Sequence, residues 1–85
     1  MIYKYDIHGK RLLEAELDVP AELEHAYLLG YDEVLIIHGH NHGFTLGNYV
    51  RNRLLKDLKR FTDIGFFKIE YNQPGATSIK FMRNN

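Results

Sequence analysis

The run Val34-Leu35-Ile36-Ile37, set between Asp32-Glu33 and His38-Gly39, constrains this chain more than any other stretch. Four consecutive apolar residues leave no polar side, and the run is too short to make a helix. It therefore reads as a buried central strand that ends at Gly39. A central strand needs neighbours, and three other segments supply them. In Ile2–Ile7, Tyr3, Tyr5 and Ile7 alternate with Lys4, Asp6 and His8, the period of a half-buried strand, and Gly9 ends it. Residues 65–71 (GFFKIEY) and 76–82 (ATSIKFM) are strand-like, joined by the turn Asn72-Gln73-Pro74-Gly75.

Two helical patterns lie between these strands. Thr45 can cap a helix in which Leu46, Val50, Leu54, Leu58 and Phe61 repeat at helical spacing through about residue 61. Residues 11–30 are ambiguous. Leu12, Ala15, Val19, Leu23, Ala26 and Tyr27 fit one helical face, yet Leu13, Ala15, Leu17 and Val19 also alternate with polar residues as a strand would. Residues 21–29 are expected to be helical, with Gly30 closing the helix. Residues 11–18 lean helical, with a kink or break near Pro20, which lacks an N–H and clashes with the preceding turn. Strands alternating with helices imply at least one parallel pair. The expected fold is α/β: a two-layer sandwich, βαβαββ, with a four-stranded mixed sheet and two helices in a single domain over residues 1–85.

Composition excludes several classes. Of 85 residues, 45% are apolar and 26% charged, which is globular rather than disordered. There is no cysteine, so disulfides and thiolate metal sites are excluded. No apolar run approaches a membrane span and nothing reads as a signal peptide, so a cytoplasmic protein with no membrane partner is expected. Net charge is zero, but it is polarised. Residues 1–43 hold three Lys/Arg and eight Asp/Glu, net −5, and residues 44–85 hold eight against three, net +5. Such a chain can present one basic face while its sum stays neutral.

Polar chemistry concentrates at two strand ends, Asp6-Ile7-His8-Gly9 and His38-Gly39-His40-Asn41-His42-Gly43. Carboxyl ends of parallel strands meet along one edge, where ligands bind in α/β sheets. If strands one and two are parallel neighbours, Asp6, His8 and His38 converge there. Asp6 and His8, two apart, point to one face, as suits a carboxylate orienting an imidazole. The plainer alternative is that these histidines cap strand ends by bonding to the backbone. Gly39 and Gly43 permit close approach of a ligand, Asn41 tolerates a left-handed conformation, and the following helix start favours an anion. A divalent metal held by His38, His40 and His42 also stays open as a cofactor. On the second helix Tyr49, Arg53, Lys56 and Arg60 form a stripe that could track a phosphate backbone, with Tyr49 stacking or packing. The commoner meaning of such a stripe is a solvated helix flank.

Taken together, these motifs resemble the small MutS-related (Smr) domain. Its Leu-Asp-x-His motif is matched by Tyr5-Asp6-Ile7-His8-Gly9, with Tyr5 for Leu. Its His-Gly-x-Gly motif is matched by His38-Gly39-His40-Asn41, with Asn41 for the second Gly. Glu14-Ala15 falls where that family's first helix begins, and Gly75–Phe81 resembles its last strand. Gly47 stands near where many members carry Arg, although Arg51 is retained. The resemblance implies binding to DNA or RNA and, in several members, endonuclease or nicking activity. From the convergence of Asp6, His8 and His38 beside an anion-favouring loop, Asp6 and His8 are assigned to water activation or ligand orientation, and His38 to proton transfer. Lys10, Gly39, His40, Asn41, His42, Gly43, Arg51 and Arg53 are assigned to phosphate or nucleic-acid contacts. A non-catalytic DNA- or RNA-binding module is the alternative, followed by a histidine-rich metal or small-phosphate protein.

Overall fold

The computed structural model describes residues 1–39, 45–61, 64 and 67–82. In chain order these form β1 (Ile2–Asp6), α1 (Leu12–Leu28), β2 (Glu33–Ile37), α2 (Thr45–Asn48), α3 (Leu54–Phe61), β3 (Phe67–Gln73) and β4 (Ala76–Phe81). The expected second helix is one helical stretch with three parts, because a π-helical turn, Tyr49–Arg53, joins α2 to α3. The strands make one mixed sheet in the order β1-β2-β4-β3. β1 runs parallel to β2, while β4 is antiparallel to both β2 and β3.

All three helices pack together on one face of the sheet, so alternate strand residues have opposite fates. Ile7, Val34, Ile36, Ile79 and Phe81 face the helices and join one core with Ala15, Val19, Leu23 and Ala26 of α1. Tyr49, Val50, Leu54 and Leu58 complete that core from the second helical stretch. Leu35 and Ile37 point to the uncovered face and are only half-buried. The apolar run is therefore central in its hydrogen bonding, but it is not covered on both sides. Polar residues dress the uncovered face instead. Lys80 Nζ lies 3.1 Å from Glu70 and 4.0 Å from Glu33, and the Ser78 hydroxyl donates to Glu33 at 2.9 Å.

The expected break near Pro20 does not occur: α1 is helical from Leu12 to Leu28 with Pro20 inside it. The missing N–H and ring clash cost about 3 kcal/mol. Burial of Val19 and Leu23, both fully inaccessible, contributes about 1.5–3 kcal/mol each. Continuing the helix therefore wins over ending it. The strand-like alternation of residues 13–19 has no structural counterpart, since Leu13 and Leu17 are 75% and 77% exposed. At the start of α1 the Arg11 N–H donates to Glu14 at 2.9 Å, one half of a capping box. At its end Gly30 takes φ +95°, which a glycine adopts without strain. Gly30 N–H then donates to the Tyr27 carbonyl and Tyr31 N–H to the Ala26 carbonyl, both at 3.1 Å, forming a Schellman motif.

These two faces of α1 give a direct test by urea unfolding. Leu23→Ala is expected to cost about 2–5 kcal/mol, and Leu17→Ala to stay within about 0.5 kcal/mol of wild type.

Candidate functional site

Strand polarity brings three segments to one edge. β1 and β2 end there side by side, with Asp6 opposite Ile37, and the β3–β4 turn at Pro74-Gly75 reaches the same edge from the other side of the sheet. The Gly75 carbonyl accepts from both the His38 N–H (3.0 Å) and the Gly39 N–H (2.9 Å). This pair of hydrogen bonds to one oxygen turns the chain out of β2, and Gly39 makes the turn at φ +76°. A side chain there would be strained by that backbone conformation. A cleft of about 870 Å³ opens at this edge, lined among others by His8, Lys10, Ile37, His38, Gly39 and Thr45.

The parallel register decides how the expected catalytic residues are arranged. His38 continues the parity of Val34 and Ile36 and turns toward the helices, where it is only 5% exposed. Asp6 and His8 continue the opposite parity. Their side chains are 50% and 70% exposed, with His8 Nδ1 2.5 Å from Asp6 Oδ1. The His8 backbone N–H also donates to that oxygen at 3.0 Å. His8 and His38 thus line one cleft from different sides of the sheet edge, rather than forming one cluster. Hydrogen bonding to His8 holds the Asp6 carboxyl below its ordinary value of 3.8.

His38 sits in a chain of bonds that includes residues not anticipated from the sequence. Its Nδ1 lies 3.0 Å from the Gly39 carbonyl, which can only accept, so Nδ1 carries the proton of that bond. Its Nε2 lies 2.9 Å from Thr77 Oγ1. Arg51 Nε donates to the same hydroxyl at 3.0 Å, and Arg51 NH2 donates to the Gln73 carbonyl at 2.8 Å. A neutral His38 fits all of these bonds at once, with the Thr77 hydroxyl accepting from Arg51 and donating to Nε2. Gly47 closes the imidazole in from the helix side, since a Cβ built there would lie 3.1 Å from His38 Cε1. The π-helical turn carries Arg51, and the carbonyl this residue presents accepts from the Tyr71 hydroxyl at 3.3 Å. The Arg51 guanidinium also lies over the Tyr71 ring at 5.3 Å.

Thr77 had a signal in the sequence. It shares parity with Ile79 and Phe81, and a hydroxyl on an apolar face requires a polar partner. The remaining candidates are scattered. Lys10 pairs with Asp18 at 3.0 Å. Arg53 turns away from the edge, pairing with Glu16 of α1 at 3.2 Å and lying over Tyr49. Tyr49 is buried in the core with its hydroxyl bonded to Asp57 at 3.0 Å, so it packs and does not stack on a base. Burial raises its phenol pKa well above the usual range. Thr45 is the first residue of α2 rather than its cap. His40, Asn41, His42 and Gly43 lie outside the described residues. Among the described residues no three of His, Asp or Glu come together as a metal site.

The sequence profile of the Smr domain matches residues 5–81. The chain belongs to the Smr domain family. This Smr domain also matches the crystal structure of the Smr domain of Thermus thermophilus MutS2, with a TM-score of 0.70 and 24% identity. The match covers 95% of this chain and 99% of that one, and at this identity it speaks for the fold. No curated protein matches the chain significantly. Among the described residues of this Smr domain, no helix is long and apolar enough to cross a membrane.

Two measurements probe the edge directly. Thr77→Val removes the shared hydroxyl and leaves His38 Nε2 and Arg51 Nε without it, so urea unfolding should show a loss of roughly 1–3 kcal/mol. A carboxyl-carbon NMR titration should find Asp6 ionising below the ordinary value, and His8→Ala should bring it back up. The sign follows from the lowered pKa. Asp6's contribution to stability is complete above the ordinary carboxylate pKa and is lost as pH falls through the lowered one.

Proposed function

We propose that this Smr domain binds DNA or RNA at the carboxyl edge of its sheet and cleaves the phosphodiester backbone there. The observation that carries this reading is the Asp6–His8 pair standing on the rim of the cleft. A carboxylate that accepts from Nδ1 fixes the imidazole tautomer and leaves Nε2 as the basic atom. In the proposed step His8 Nε2 takes a proton from a water molecule as that oxygen bonds to phosphorus. The bond from phosphorus to the leaving oxygen breaks, and the leaving oxygen takes a proton from solvent.

His38 receives a different role from the one its motif suggests. Both its ring nitrogens are bonded within the fold, so we assign it to shaping the loop and holding Arg51 in place through Thr77. Lys10 lines the cleft, and Arg51 is bonded to Thr77 and to the Gln73 carbonyl beside it. The phosphate-cradling role of residues 39–43 rests on their Gly-rich sequence and on membership of the family. Arg53, tied to Glu16, contributes less to this edge than the sequence pattern suggests.

A second reading, a non-catalytic binding module, draws support from the same bonds. With His38 engaged on both nitrogens and Arg51 anchored to Thr77 and Gln73, the edge has the character of a rigid recognition surface. Labelled single- and double-stranded DNA and RNA, incubated with untagged protein with and without chelator, separate the two. Cleavage predicts a fall of about 10²–10⁴-fold in His8→Ala, with binding kept. Equal cleavage by His8→Ala would remove His8 as the base. Binding that weakens steeply with salt, with no cleavage at any metal concentration, would establish the second reading. No affinity for any of the four nucleic acids would end both.

A further inference from the structure

The open face of the sheet has two unlike ends. Toward the amino end of β2, Lys80 bridges Glu33 and Glu70, and the Ser78 hydroxyl donates to Glu33, so polar groups lie across the strands. Toward the carboxyl end the outward positions are Leu35 and Ile37 on β2, with Ala76 of β4 opposite Ile37. Leu35 and Ile37 are half-buried and line the cleft, joined by Pro74 of the β3–β4 turn and by Leu12 and Leu46 from the helix side. A phosphate gains nothing from such a lining, since an anion needs donors and cations rather than hydrocarbon. Apolar walls with a few polar groups among them are the mark of a site that takes the apolar body of a ligand.

This wall stands beside the Asp6–His8 pair. In the β1–β2 register Asp6 lies opposite Ile37, and both point to the open face. A Cβ built on Gly39 would lie 3.5 Å from His8 Cβ, which sets His8 over the end of β2. Neighbouring strands are about 4.8 Å apart, so a nucleotide whose phosphate meets His8 has its own or the neighbouring base within reach of Ile37. In a duplex that base is stacked and paired, and only its edge shows in a groove. Its apolar faces meet a protein wall only when the strand is single or the base has left the stack. At about 870 Å³ the cleft has room for a nucleoside, since small-ligand sites span roughly 300–1,000 Å³. Gln73 and Thr45 also line it, and they supply the donors and acceptors that a base edge needs.

We propose that the apolar wall of Leu35, Ile37 and Pro74 receives an unstacked nucleobase beside the reacting phosphate, so that the strand bound is single or locally unpaired. This rests on nucleic-acid binding at the carboxyl edge and adds the part of the nucleotide that the cleft selects. Phosphate contacts alone hold any strand, whereas the wall distinguishes a strand with a free base from one without.

Fluorescence anisotropy of the full chain with labelled strands of about a dozen nucleotides, in DNA and in RNA form, tests this. One single strand carries bases, a second is abasic throughout with the same number of phosphates, and the third probe is the base-paired duplex. The base-bearing single strand should bind about tenfold or more tighter than the abasic strand, and tighter than the duplex. It should also shift the Leu35 and Ile37 methyl NMR signals through the ring current of the base, which the abasic strand cannot do. Leu35→Thr/Ile37→Thr, which keeps good strand formers, should bring the two single strands to equal affinity. Urea unfolding monitors the fold of this variant, while the strand comparison and the methyl shifts need only the wild-type protein. Equal wild-type binding of the base-bearing and abasic strands, or tighter binding of the duplex, would overturn the base site and leave nucleic-acid binding standing. No binding of any probe would end both. A base preference that leaves these methyls unmoved, or survives in the folded double variant, would place the base elsewhere and overturn the proposal. Concentration-dependent shifts of the same methyls in the protein alone would make a second copy the occupant, with the same consequence.

Discussion

The parallel pairing of β1 with β2, in the register that sets Asp6 opposite Ile37, is the constraint on which the rest of this structure depends. A parallel pair needs a crossover, and α1 supplies it. The same pairing delivers Asp6-Ile7-His8 and His38-Gly39 to one edge of the sheet. Because side chains alternate along a strand, the register also divides those residues. One set faces the helices and becomes core, and the other faces outward and stays wet. A slip of β1 by one residue would turn its side chains over, burying the Asp6–His8 pair and exposing Tyr5 and Ile7.

Covering the sheet on one face only has two consequences. On the helix side, His38 and Thr77 are polar groups among apolar ones, and burial there requires complete hydrogen bonding. Gly39, Thr77 and Arg51 supply it, and no described buried side-chain N or O is left without a partner. On the open side, Glu33, Glu70, Lys68 and Lys80 satisfy one another and leave the apolar residues Leu35 and Ile37 facing the cleft. One strand therefore contributes both to the hydrophobic core and to the wall of the candidate site.

The second helical stretch connects these two sides. Its π-helical turn adds a residue to the turn that carries Arg51, and Tyr71 of β3 bonds to the Arg51 carbonyl there. Gly47, one turn earlier, lets the His38 ring lie against the helix at a distance that a Cβ would crowd. Arg51 then reaches Thr77 from that helix, while Arg53, two residues on, reaches Glu16 of α1. Two nearby arginines thus serve different surfaces, and the difference follows from the direction each takes off the helix.

The order of strands and helices, the β3–β4 turn, the closing role of Gly30 and membership of the Smr family are all legible in the sequence, because period and glycine placement are local properties. So is the sharing of one face by Asp6 and His8, which strand alternation gives, although the turn after β1 is what closes their contact. The path of the chain through Pro20 is not legible. Local preference opposes the proline, and only the burial of Val19 and Leu23 against the sheet reverses that preference. The exposure of Leu13 and Leu17 likewise depends on which side of α1 meets the sheet, so their alternation imitates a strand. The bonding of His38 could not be read locally either, since its partner Thr77 is 39 residues away and meets it only through the β2–β4 pairing. Local pattern in the chain sets the strands, the second helical stretch and the residues that carry chemistry, but not the course of α1 through Pro20. Tertiary structure decided which of those residues meet, because register and one-sided packing assign each side chain its face.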